Sequence, residues 1–128
     1  MKQFDEWNEV KKRIDNKTKI SIPKEREVYW TCIGENVGFE QNGKSKLFTR
    51  PVLVLKRFNK HIFFGIPLST QIKEGSFFFT FTLNDTLSNA LLVQGKLFDI
   101  KRLEKKIGMI SKDEFSELKT RLRELLDI

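Results

Sequence analysis

The stretch Arg50-Pro51-Val52-Leu53-Val54-Leu55-Lys56-Arg57-Phe58-Asn59-Lys60-His61-Ile62-Phe63-Phe64-Gly65-Ile66-Pro67-Leu68-Ser69-Thr70 decides the fold. Residues 51–57, apolar through Leu55, read as a strand whose first position is a proline, where a missing N–H is tolerated. Phe58-Asn59-Lys60 turns the chain into a second strand over 61–68, so the two make a hairpin. Arg50 stands where the first strand begins and Ser69, with Thr70 beside it, where the second ends.

The same texture extends on both sides of the hairpin. Val28 to Ile33 is aromatic and β-branched and stops at Gly34, so it predicts a preceding strand. The polar segment 35–49, carrying Gly38, Glu40, Gly43, Lys44 and Lys46, reads as a surface loop. Downstream, Gln71 to Gly75 is a turn, 77–83 a phenylalanine-rich strand closed by Asn84-Asp85, and Ala90 to Phe98 supplies one or two strands more. Short strands at this spacing point to a small barrel or a two-sheet arrangement.

Helical signals lie at the two ends. Phe4, Trp7, Val10 and Ile14 recur at helical spacing over residues 3–15, and 16–26, with Pro23, reads as a connector. Asp99 is placed to cap a short helix through Lys105 that stops at Gly108. Ser111-Lys112-Asp113-Glu114 is a capping box, followed by the stripe Phe115, Leu118, Leu122, Leu125. The expected architecture is α+β: a small β-barrel flanked by N- and C-terminal helices, with residues 1–25 as an extension and connector and 26–128 as the barrel domain.

Composition narrows the function. At 128 residues, 39% hydrophobic and 32% charged, the chain suits one globular domain. One cysteine and one histidine allow neither a disulfide framework nor a zinc cluster. Cys32 reads as a small buried residue of a reducing compartment. Neither a signal peptide nor an apolar run of membrane-spanning length is visible, so the expected location is the cytoplasm. The formal net charge of +7 favours a polyanionic partner.

The sequence contains no phosphate-binding Gly-rich loop ending in Lys-Ser/Thr, no paired histidines and no tight carboxylate cluster. His61, at a turn, reads as a solvated side chain rather than a member of a catalytic triad. An enzyme built from this chain is expected to work without a metal or cofactor. Metal-free cleavage of a phosphodiester is feasible for RNA, whose 2′-hydroxyl serves as the nucleophile. The protein then has to hold the phosphate, stabilise added negative charge and move protons. Arg50, Ser69 with Thr70, and Gln94 in Gln94-Gly95-Lys96-Leu97-Phe98-Asp99 offer a guanidinium, hydroxyls and an amide for that work. Taken singly, each also reads as ordinary: a surface cation, a bare strand end, an amide satisfying backbone. The run Phe77-Phe78-Phe79 with Phe81 reads as core, and Lys101, Arg102, Lys105 and Lys106 as a solvated helix face.

In order along the chain, Glu27-Val28-Tyr29-Trp30, Gly38-Phe39-Glu40-Gln41-Asn42-Gly43, Arg50-Pro51-Val52-Leu53-Val54-Leu55, Ile66-Pro67-Leu68-Ser69, Gln94 with Phe98-Asp99, and Lys101-Arg102-Leu103 with Ile107-Gly108 resemble the MazF/PemK family of toxins from bacterial type II toxin–antitoxin systems. The resemblance covers about residues 26 to 127. It implies an SH3-like barrel, a homodimer, and cleavage of single-stranded RNA to 2′,3′-cyclic phosphate and 5′-hydroxyl ends. It places the family's catalytic arginine on Arg50 and its catalytic Thr or Ser on Ser69. Glu40, Gln41, Lys56, Thr70, Gln94 and Lys96 are then expected to bind substrate, with Lys101 adding attraction along the groove. An acidic antitoxin is the implied protein partner.

The chain departs from that pattern in several places. Val93 stands where many relatives have an acidic residue, Lys96 where arginine is common, and the loop through Lys44 to Thr49 is longer than in compact members. The helix at residues 3–15 lies outside the family core. Two other readings follow. One is a non-enzymatic toxin of the same fold, resembling CcdB, that poisons DNA gyrase. The other is a relative that binds RNA but has lost catalysis.

Overall fold

A computed structural model describes residues 22–33 and 49–128. The helix expected at residues 3–15, most of the loop at 35–49, and both Glu40 and Gln41 fall outside the described residues. The described elements are β1 (Glu27–Cys32), β2 (Thr49–Arg57), β3 (Ile62–Ser69), β4 (Phe78–Leu83), β5 (Thr86–Leu91), β6 (Lys96–Asp99), β7 (Leu103–Met109) and a helix, α1 (Lys112–Leu126). Single 3-10 turns at Leu92–Gln94 and Ile100–Arg102 join β5 to β6 and β6 to β7.

The strands form one antiparallel sheet in the order β4-β5-β3-β2-β1-β7, with β6 also paired to β3. The hairpin read from the sequence is its centre. β2 and β3 pair from Val52↔Pro67 to Arg57↔Phe63, with a bulge between Val54 and Lys56. The other edge of β3 is shared: Ile62 to Gly65 pair with β6, while Leu68 and Ser69 pair with Ala90 and Asn89 of β5. Gly65 sits between two strands in a crowded layer, where a Cβ would lie 2.5 Å from Val52 Cγ1 and 2.9 Å from Phe63 Cε2.

Alternation along the central strands sends side chains to two separate apolar clusters. Val28, Leu53, Ile66 and Leu68 face one way, with Phe79, Phe81, Ala90, Ile110 and Phe115, Leu118 and Leu122 of α1. Tyr29, Val52, Val54 and Phe63 face the other, with Phe98, Ile100 and Leu103. The stripe read from residues 115–122 is therefore what seats α1 on the first cluster.

The expected barrel is not closed. The outer strands β4 and β7 have no hydrogen-bonded ladder between them among the described residues. The edge of β4 is instead covered by α1: Thr82 N–H donates to Glu114 Oε2 at 3.1 Å, and Arg121 Nη2 donates to Phe78 O at 3.5 Å. A helix occupies the place of the closing strand and satisfies edge groups that would otherwise be open to pairing. The capping box holds, with Ser111 Oγ accepting from Glu114 N–H and donating to Glu114 Oε1.

The helix expected from Asp99 to Lys105 is also corrected. Asp99 does cap, accepting from Lys101 N–H at 2.9 Å, but only the turn Ile100–Arg102 follows. Residues 103–109 are strand β7, paired to β1 with two register shifts. Lys105 and Lys106 thus lie on a strand, and Lys106 Nζ meets Glu27 Oε2 at 2.7 Å. Tertiary pairing with β1 overrides the local charge pattern. β5 likewise begins at Thr86, ahead of the expected Ala90, because Asn84 (φ 50°) and Asp85 (φ 64°) make a tight left-handed turn directly between β4 and β5.

Candidate active site at the ends of β2 and β3

The β2–β3 register starts at Val52↔Pro67, so Arg50 and Ser69 lie just beyond its last pair, where the two strands part. Continued two residues, that register sets them abreast on the same side of the sheet. Arg50 is 3% exposed. Its Nη1 donates to the Leu68 carbonyl at 3.0 Å, which ties the guanidinium to the end of β3. Burial pushes the Arg50 pKa below its ordinary value, yet a guanidinium stays charged in any such setting. A buried, fixed positive charge results.

Ser69 is half-buried, and its Oγ accepts from Gln71 N–H at 3.1 Å. That bond uses an oxygen lone pair and leaves the O–H for donation. The segment after Ser69 is held by Asn89, which is fully buried and opposite Ser69 in the register. Asn89 Nδ2 donates to Lys73 O and to Thr80 Oγ1, both at 3.1 Å, while its buried Oδ1 has no partner.

Arg50, Ser69 and Thr70 share a cavity of about 330 Å³. Trp30, Pro51, Leu68, Leu83 and Ile107 give it apolar walls. Thr49, Asn84, Thr86 and Ser88 add polar groups. Trp30, Asn84 and Ile107 come from β1, the β4–β5 turn and β7, elements far apart in sequence. The strand-end signal that marks Arg50 and Ser69 carries no information on them. Trp30 is the exception: alternation in β1 puts it on the face opposite Tyr29, and it is 41% exposed.

The other expected substrate contacts stand apart from this cavity. Lys56 is six residues along β2, roughly 20 Å at strand spacing, and is exposed beside Glu25 at 3.7 Å. Gln94 is half-buried at the end of a 3-10 turn, and Lys96, opposite Gly65, holds its Nζ 5.4 Å from the Phe98 ring centroid. Lys101 follows the Asp99 cap. Val93 is exposed. His61 is exposed in the β2–β3 turn, as expected. Cys32 is a buried thiol outside any disulfide, and its Sγ donates to Glu104 Oε1 at 3.3 Å. Among the described residues there is no group of three His, Cys, Asp or Glu side chains that could hold a metal ion, and no helix long and apolar enough to cross a membrane.

A family model described as the PemK-like, MazF-like toxin of type II toxin–antitoxin systems matches residues 24–126. The fold is similar to that of MazF from Deinococcus radiodurans, at 20% identity and a TM-score of 0.69 over 84% of this chain and 99% of that one. An endoribonuclease from a mycobacterial species is similar at 12% identity and a TM-score of 0.64, over 85% of this chain and 95% of that one. A mycobacterial endoribonuclease solved in complex with its cognate antitoxin gives 13% identity and a TM-score of 0.63, over 83% and 96% of the two chains. No curated protein matches the sequence. At these identities the structural likenesses establish the fold.

Proposed function

This chain belongs to the PemK-like, MazF-like family of toxins of type II toxin–antitoxin systems, and from that premise we propose that it is a metal-independent endoribonuclease acting on single-stranded RNA, chiefly mRNA. The observation that carries the reading is the buried Arg50 guanidinium, held on the Leu68 carbonyl at the cavity it shares with Ser69.

In the proposed reaction the RNA 2′-oxygen forms a bond to phosphorus as the bond to the 5′-oxygen breaks. The products are a 2′,3′-cyclic phosphate and a 5′-hydroxyl. Arg50 binds the phosphoryl oxygens and stabilises the extra charge of the transition state, with its own charge fixed in advance by the fold. Ser69 donates its O–H to a phosphoryl oxygen or to the departing 5′-oxygen. The described residues around the cavity include no carboxylate or imidazole, so the 2′-hydroxyl proton is assigned to water. Thr70 adds a second hydroxyl beside Ser69. Lys56, Gln94, Lys96 and Lys101, outside the cavity lining, are assigned to the RNA backbone beyond the cut, and Glu40 and Gln41 to substrate binding. The charge of +7 suits both RNA and an acidic antitoxin competing for the same surface. The working assembly is a homodimer.

The test is cleavage of a long single-stranded RNA by the purified protein in EDTA, beside Arg50→Ala and Ser69→Ala. Discrete cuts with 5′-hydroxyl ends, lost in Arg50→Ala, are expected. Intact RNA in every lane would overturn the reading, and cuts that appear only when Mg²⁺ is restored would overturn its metal independence.

A further inference from the structure

The cavity extends past the catalytic pair, and its far wall has a different chemistry. Trp30, Leu83 and Ile107 make it largely apolar, and into that wall the β4–β5 turn sets one carboxamide, Asn84. At about 330 Å³ the space is near the lower end of small-molecule sites. It suits a single flat group, not a helix or a peptide.

Three features hold the Asn84 amide still. Its backbone is in the left-handed region, at φ 50°. Its Nδ2 donates to the Ile107 carbonyl at 3.0 Å, which also fixes which end of the amide is nitrogen. And it lies against Gly108, where a Cβ would come within 2.8 Å of Oδ1 and 3.1 Å of Nδ2. The missing side chain at 108 is what lets the amide rest on β7. With one N–H committed to Ile107, a second N–H and Oδ1 remain, the donor–acceptor pair with which a carboxamide reads a base edge.

We propose that this wall receives one unstacked nucleobase flanking the scissile phosphate, with Trp30 as its stacking face and Asn84 as the group that reads its edge, Gly108 acting as the positioning residue. The inference rests on the RNA reading above and deepens it: Arg50 and Ser69 serve the phosphate, which is common to all sequences, while Trp30 and Asn84 serve the base. Single-stranded RNA offers bases to stacking in this way because they are not buried in a duplex.

The experiment maps cut sites in a random-sequence single-stranded RNA pool and, in parallel, measures binding to all-deoxy single strands that differ at one base. The deoxy strands lack the 2′-hydroxyl and cannot be cut. Asn84→Gly keeps the left-handed turn and removes the amide, and Gly108→Ala displaces it without removing it. The readout is the ratio among bases at the positions adjoining the cut, so a change in overall rate does not obscure it. A fall of roughly tenfold or more in that ratio is expected in Asn84→Gly, a smaller fall in the same direction in Gly108→Ala, and weaker binding of every strand in Trp30→Ala. An unchanged base ratio in folded Asn84→Gly would overturn the proposal while leaving the nuclease intact. If the unaltered protein cuts nothing, the nuclease reading fails and the deoxy strands decide this one: a base preference abolished by Asn84→Gly supports it, and no preference, or one that survives, overturns it.

Discussion

Arg50 Nη1 and the Leu68 carbonyl oxygen are 3.0 Å apart, one residue short of Ser69. This bond spans the point where β2 and β3 separate and converts a strand end into a fixed cationic site. Burial works against the charged form of this guanidinium, and an apolar side chain of similar size removes that desolvation cost. Arg50→Met is therefore expected to unfold at the same temperature as the parent or higher. RNA cutting should fall by roughly a hundredfold or more. Thermal unfolding and a cleavage time course on the same preparation check both halves.

Asn89 holds Lys73 O and Thr80 Oγ1 from beneath the segment that follows Ser69. Asn89→Ala removes both bonds, though it also removes the unpartnered Oδ1, and is expected to cost about 1–3 kcal/mol. The Gln71 amide, which donates to Ser69 Oγ, should lose protection against hydrogen exchange before the β2–β3 ladder does. Denaturant titration and exchange at Gln71 measure the two effects.

Tyr29 is the chain's only tyrosine, so its phenol can be titrated directly. Burial, then the hydrogen bond and charge of Glu27, push it up to about 12 from 10.0. Because the folded value lies above the unfolded one, the phenol's contribution to stability is fully present below pH 10.0 and is lost as pH rises through about 12. Phenolate absorbance should show the high midpoint in the native protein. In Glu27→Gln the midpoint should fall yet stay above 10.0, since burial persists.

Glu27 itself reports at the acid end. Burial alone would raise its carboxyl, but Lys106, the Lys24 amide and the Tyr29 hydroxyl outweigh it and hold the group below 4.5. The stability this supplies is present above pH 4.5 and is lost as pH falls through the depressed folded value. Unfolding curves taken downward from pH 4.5 should be flatter in Glu27→Gln than in the parent.

Gly65 allows β2, β3 and β6 to lie close together. Gly65→Ala places a methyl against Val52 and Phe63 and is expected to cost about 1–3 kcal/mol. A lowered denaturant midpoint with an unchanged slope would show it.

Local chemistry made the β2–β3 hairpin, the Asn84-Asp85 turn and the Ser111 capping box legible in the sequence, because each is specified by neighbours within a few residues. Strand β7 was not legible. Glu104, Lys105 and Lys106 give it a charged, helix-like pattern, and its partner β1 lies more than seventy residues earlier, joined through shifted pairs such as Tyr29↔Lys106. The closed barrel failed as an expectation for a related reason: nothing local says that Glu114 and Arg121 will take the edge of β4. Arg50 and Ser69 could be read as strand-end residues. Trp30, Asn84 and Ile107 could not be joined to them, because only the sheet order brings β1, the β4–β5 turn and β7 around one opening.

The β4–β5 hairpin is joined to the central strand through two residue pairs, Leu68↔Ala90 and Ser69↔Asn89. The joint of that hairpin and the Ser69 hydroxyl thus belong to the same residue pair. On the proposed role of Ser69, a substitution that loosens this joint is expected to disarm the protein before it unfolds it, so variants that survive in a host should gather there. They would stay folded, abundant and harmless, still displaying the outer surface on which a neutralising partner could be spent.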